Sequence, residues 1–170
     1  MSPFSHTEGG TGHHDVIIAR HFDAPRELVF RAWTERAHLE RWFAPPGCTI
    51  EFHDFDLRVG GGFRSCIHTP DHKQCWARAT FRELIAPRRL VFAFIVTNAA
   101  GQPVDPVSIG MDPAWPRETV VTVTFSEQAG KTGMALHQTV DETLARKTGA
   151  YPSWLQMFDR LADEVERSKK

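Results

Sequence analysis

Long apolar runs are missing from this chain, and so is any strong charge. No hydrophobic stretch reaches the ~18 residues of a membrane-spanning helix, so no membrane span is expected. Lys and Arg number 20 against 21 Asp and Glu, for a net charge of −1. That balance removes the electrostatic case for nucleic acid or an anionic membrane surface as partner. The first residues lack a basic segment followed by an apolar one, so no secretory signal is expected. Cysteine is scarce and odd in number: Cys48, Cys66 and Cys75. A chain of 170 residues can bury a core without disulfides, so the three read as free thiols in a reducing cytoplasm. Tyrosine is nearly absent, one residue against twelve Phe and five Trp. That bias favours a large apolar interior with few hydroxyls to place. Signatures of catalysis are missing too: no nucleophile elbow, no paired carboxylates, no Ser-His-Asp order. Gly60-Gly61-Gly62 is not a phosphate loop, because no Lys-Ser/Thr follows it and a strand stands where a helix is needed.

What is present changes period along the chain. Residues 1–14, MSPFSHTEGGTGHH, are polar and glycine-rich and read as a disordered tail; residues 15–168 read as a single domain. VIIARHF (16–22) is short and β-branched, a strand. DAPRELVFRAW follows, with Pro25 suited to a first helical turn and Leu28, Val29, Ala32 and Trp33 on one face. Thr34 is expected to cap a second short helix, ERAHLERWF, which Pro45-Pro46-Gly47 ends. The period then becomes two. Residues 48–57, 59–68, 75–85, 89–96, 117–127 and 132–140 read as six strands joined mostly by short turns, hence an antiparallel sheet. Residues 97–116 form a proline-bearing linker of a length usually reserved for function or mobility. The chain closes with a helix over about 149–167, whose stripe is Trp154, Leu155, Phe158, Leu161, Ala162 and Val165. One long amphipathic helix must cover one face of the sheet. A strongly curved sheet wrapped on it leaves space between them. The fold class is α+β.

Four segments in this order carry a resemblance to a family. They are FDAPRELVFRAWTERAHLERWF (22–43), DLRVGGGFR (56–64), APRRLVF (86–92) and SWLQMFDRLADEVE (153–166). Together they resemble the helix-grip proteins of the START-like (Bet v 1-like, SRPBCC) superfamily. The nearest branch is the homologues of the activator of the heat-shock-protein-ninety ATPase. The second segment is similar to that branch's D-x-R-P-G-G-x-[FWY]-R, with Val59 in place of Pro. The last is similar to its closing G-W-x-x-x-L-x-x-L-x-x-Y helix, with Ser153 in place of Gly. The likeness spans residues 15–167. It implies about seven curved strands gripping a C-terminal helix, with two short helices after the first strand and an apolar cavity inside. Fold alone leaves the activity open.

The residues placed to line such a cavity are Trp33, Trp42, Phe63, Phe94, Trp154, Met157 and Phe158, with Met111 and Trp115 in the linker as a lid. Ordinary core packing accounts for any one of them; as a set they mark the cavity. Arg64 is the candidate polar anchor, since a guanidinium binds a carboxylate in bidentate fashion. Its alternative is a structural ion pair with Asp56 and Arg58 about the glycine turn. Glu51, His53, Asp54 and His137 are possible acids and bases, but strand parity puts Glu51 and His53 on a solvent-facing side. The leading expectation is non-catalytic binding of an apolar or aromatic small molecule, with no cofactor. A chaperone-cofactor-like interaction module, or a cyclase- or hydrolase-type enzyme using the same cavity, are the alternatives. A monomer or a homodimer fits equally.

One stretch, CIHTPDHKQC (66–75), brings Cys66, His68, His72 and Cys75 within ten residues at spacings that pass a zinc filter. Between them Pro70-Asp71 reads as a β-turn. A turn centred on Asp71-His72 sets His68 opposite Cys75, Cys66 opposite Ala77, and His72 at the tip. The stretch is expected to reverse the chain, with no metal and no disulfide. Cys66→Ser is then expected to leave stability and metal content unchanged.

Overall fold

The computed structural model describes residues 14–168; the tail expected over 1–14 lies, but for His14, outside the described residues. Strand β1 (Asp15–Phe22) is followed by helices α1 (Arg26–Thr34) and α2 (Arg36–Trp42). Strands β2 (Thr49–Asp56), β3 (Gly62–His68), β4 (Gln74–Ile85) and β5 (Arg89–Thr97) come next. One turn of 3-10 helix, Pro106–Ile109, stands in the linker before β6 (Glu118–Gln128) and β7 (Lys131–Asp141). Helices α3 (Glu142–Thr148) and α4 (Ala150–Ser168) close the described chain. The seven strands form one antiparallel sheet in the order β1-β7-β6-β5-β4-β3-β2. Short hairpins connect neighbours from β2 to β5 and from β6 to β7; β1 returns to pair with the last strand.

Alternation decides which side chains meet the helix. Val121, Val123 and Phe125 of β6 and Met134, Leu136, Gln138 and Val140 of β7 are buried, while the residues alternating with them are only partly so. Helix α4 lies across this concave face with Trp154, Met157, Phe158, Leu161 and Val165 buried. Leu155, expected in that stripe, is 41% exposed. The stripe is centred on Phe158 and Leu161, and a step of one residue from Trp154 turns Leu155 about 100° away from it. Glu164 is buried instead, 4% exposed. It accepts from His38 of α2 at 2.6 Å and pairs with Arg167 and Arg41. That cluster ties α2 to α4.

Two local expectations change. Thr34 does not cap α2. Its hydroxyl donates to the Phe30 carbonyl at 3.0 Å, the back-bond open to a Thr four residues on. Glu35 takes the N-cap of α2 without a side-chain bond. Helix α3 fills residues that sequence periodicity leaves unassigned. The Asp141 carboxylate accepts from Leu144 N at 3.1 Å, and Gly149 at φ 90° ends the helix.

The 66–75 hairpin is also one residue out of the expected register. His72 sits at φ 66°, and Thr69 N–H donates to the Lys73 carbonyl at 3.0 Å. A three-residue loop of a turn followed by a left-handed residue results, rather than a two-residue one. Ile67 therefore faces Cys75, His68 faces Gln74, and Cys66 faces Trp76. A one-residue shift moves side chains to the other face. Cys75 goes to the concave side; Cys66 and His68 stay on the convex side. Among the described residues, no group of three or more His, Cys, Asp or Glu is placed to hold a metal ion.

The glycine run works by space more than by turn. Only Gly60 has a positive φ, 88°. A Cβ on Gly62 would stand 1.9 Å from the Ala79 carbonyl oxygen, and one on Gly61 2.5 Å from that of Asp56. Gly62→Ala is thus expected to cost roughly 1–3 kcal/mol or more from forced overpacking. Gly60→Ala, facing open space, should cost only about 1 kcal/mol of left-handed strain. Thermal melting orders the two, at about 2–4 °C per kcal/mol. Cys66 is fully buried, so Cys66→Ser should lower stability by about 1–3 kcal/mol, as an unpaired hydroxyl replaces a thiol. An unchanged melting temperature would restore the neutral expectation.

Candidate functional site

The interior between sheet and α4 is filled by rings. Trp33 lies 4.7 Å from Trp42 and about 6.2 Å from both Trp154 and Phe158, centroid to centroid. The three buried indoles each donate: Trp33 to Met134 Sδ, Trp42 to the Ala32 carbonyl, Trp154 to Gln138 Oε1. Gln138 in turn donates to Thr119 at 3.2 Å. Trp33, Trp42, Met157, Phe158 and Trp154 are thereby core residues, all at most 9% exposed. Phe94 is partly buried and packs against the same core, 6.2 Å from Phe92.

Open space lies at the mouth of the grip, at the N-terminal end of α4. A pocket of about 760 Å³ is lined by Pro45, Cys75, Gly110, Met111, Asp112, Trp115, Lys147, Thr148, Gly149, Ala150 and Ser153. The linker supplies one wall. The Asn98 side chain accepts from Ala100 N and Gln102 N, and Asp105 caps the 3-10 turn and pairs with Arg117 at 3.0 Å. These bonds fold the linker back on itself, leaving Met111 and Trp115 against the mouth. Asp112 then reaches Lys147 of α3 at 3.3 Å. The Ala114 N–H, then Lys147, hold the Asp112 carboxyl below the usual range. Cys75, brought to this side by the hairpin register, has its thiol pushed up, chiefly by partial desolvation.

The structure therefore places Met111 and Trp115 on the pocket and the other aromatic candidates beneath it or away from it. Phe63 packs 5.0 Å from Phe52, at the opposite end of β3 from the mouth. Arg64 has the opposite parity to Phe63 and lies on the convex face. There its guanidinium binds Asp54 at 2.7 Å, donates to the Ala99 carbonyl and sits 5.7 Å from the Trp76 ring. Arg58 pairs with Asp56 at 2.7 Å. A groove of about 380 Å³ runs beside these pairs and the glycines, with its Asp and Arg side chains engaged with one another or with backbone. Glu51 on the same face accepts from His53 and His68 at 2.9 Å each. The His68 bond, then the His53 bond, hold its carboxyl below the usual range. His137 contacts Asp15 at 2.9 Å. Among the lining residues, sequence reasoning did not single out Pro45, Lys147 or Thr148 for a site, and it considered Cys75 only as a metal ligand or a disulfide partner. None of these lies on an apolar stripe; Ser153 was signalled by its departure from the resembled helix.

Solved structures share the architecture. A crystal structure of a Chromobacterium violaceum protein matches with TM-score 0.74 at 20% identity, covering 89% of this chain and 96% of that one. Solution structures from Arthrobacter aurescens and Staphylococcus epidermidis each match with TM-score 0.76 at 22% identity. They cover 89% and 92% of this chain, and 85% and 92% of their own. At such identities the likeness is one of fold. No curated protein matches the chain. No helix among the described residues is long and apolar enough to cross a membrane. The family model described as Activator of Hsp90 ATPase homolog 1-like protein matches residues 23–166, and the chain, with its sheet gripping α4 over that whole span, belongs to this family.

Proposed function

We propose that the protein binds an apolar or aromatic small molecule at the mouth pocket, without catalysis. The observation that carries this is the pocket itself: about 760 Å³, walled by Met111, Trp115, Pro45 and Ala150, within the ~300–1,000 Å³ of small-molecule sites. The family and fold are compatible with a ligand-binding or cofactor-like role. A non-catalytic role is supported by the lining chemistry. Asp112, held charged by Ala114 and Lys147, is a weak base. The Cys75 thiol is exposed, and partial desolvation by its neighbours raises its pKa, which leaves little thiolate at neutral pH. Three free cysteines fit a reducing, cytoplasmic setting.

The family description supplies a second reading: a chaperone cofactor that acts on an Hsp90-type ATPase. Failure to alter the ATPase rate of such a chaperone, with no binding to it, would remove that reading.

A thermal-shift screen of lipids and aromatic metabolites tests the first reading. A ligand at ~100 times its Kd should add about 2.7 kcal/mol, some 5–10 °C at the conversion above. Trp115→Ala should abolish most of that shift. No stabilisation by any class of compound would overturn the proposal. The Asp112–Lys147 tie should hold the linker down. A carboxyl depressed in the folded state stabilises above its ordinary value of ~3.9. That contribution is lost as pH falls through the lower folded value. Linker protection in hydrogen exchange, corrected for intrinsic rates, should be constant from about pH 8 to 5. Asp112→Asn should reduce it at neutral pH.

A further inference from the structure

Resting on the pocket reading above, we propose that the mouth selects an uncharged ligand with an aromatic-sized apolar body and one hydrogen-bonding oxygen, read by Ser153. Two observations lead there. The charged residues that line the pocket, Lys147 and Asp112, neutralise each other at 3.3 Å. Asp112 is further engaged by the Ala114 N–H at 2.9 Å. With the two charges cancelling at the rim, the mouth offers an ionic ligand no net attraction to offset its own desolvation. A neutral body against Met111 and Trp115 leaves the pair intact.

The second observation concerns hydroxyls. Thr148 has spent its proton on the Leu144 and Ala145 carbonyls, at 2.9 and 3.3 Å. Among the described residues, the Ser153 hydroxyl has only the Met157 sulfur, at 3.8 Å, a weak acceptor. Its hydroxyl can turn to a ligand oxygen at little cost, as donor or acceptor. It lies one turn into α4, near the half-buried Trp115 wall. A ligand lying against that wall brings one polar group to it. Such a site discriminates by the single hydrogen bond, since an unmatched partner forfeits that bond while area burial stays the same.

Naphthalene, naphthol and naphthoate form a matched probe set of equal ring size. Titrated into the full chain and followed by calorimetry, naphthol should bind about two- to tenfold more tightly than naphthalene. Naphthoate should bind less tightly than naphthol. Ser153→Ala should erase the naphthol advantage while leaving naphthalene unchanged, and Ser153→Thr, which keeps the hydroxyl, should restore it. Retention of the naphthol advantage in Ser153→Ala, or naphthoate binding tightest, would overturn the assignment while sparing the pocket. Absence of binding by all three would overturn both.

Discussion

Trp33 is the contact on which the molecule closes. Its indole meets Trp42 and Phe43 from the α2 end, Phe92 from the sheet, and Trp154 and Phe158 from α4. Its N–H is taken by Met134 of β7. One ring thus joins the short helices, the sheet and the long helix. Each large aromatic buries some 150–250 Å², so a cluster of this size consumes the space that a curved sheet would otherwise leave under its helix. Open space is found instead at the mouth of the grip, where the linker and the α3–α4 junction replace ring against ring.

That arrangement separates three chemistries. The interior is mainly hydrocarbon, crossed by a few satisfied polar contacts such as the chain from Trp154 to Gln138 to Thr119. The convex face carries ion pairs and imidazole–carboxylate contacts, Glu51 with His53 and His68 and Arg64 with Asp54. Exposed pairs of that kind add little stability; they keep the sheet's outer face wet and set. The mouth has an apolar wall, one self-neutralised pair and one hydroxyl with a poor partner. The buried Glu164–His38 contact belongs to none of these. It fixes α2 against α4 and so holds the ring cluster shut from the far side.

Much of the fold was legible because periodicity survives averaging. The period-two runs of β2 to β7 and the stripe of α4 appear in place, and the family resemblance named their arrangement. Helix α3 was not legible from its stripe. In seven residues only Ala145 is buried, too few for a period to show. Its cap at Asp141 was the available signal. The 66–75 hairpin shows as a turn in its composition, but its register does not, because one left-handed residue, His72, adds a position that turn composition does not count.

For the site, the balance differs. Residue composition and the order of elements were enough to set an aromatic interior and a sheet covered by one helix; Met111 and Trp115, expected as a lid, line the mouth pocket. Local patterns of burial and the order of elements carry that information. Which aromatics touch open space follows from packing alone. Whether a ring lines a cavity or fills it depends on the sum of the volumes around it. Packing also brings Cys75, Lys147 and Ser153 to the same pocket and turns Arg64 to the convex face. Those outcomes depend on strand parity after a one-residue hairpin shift and on chain segments far apart in sequence, which no local pattern encodes.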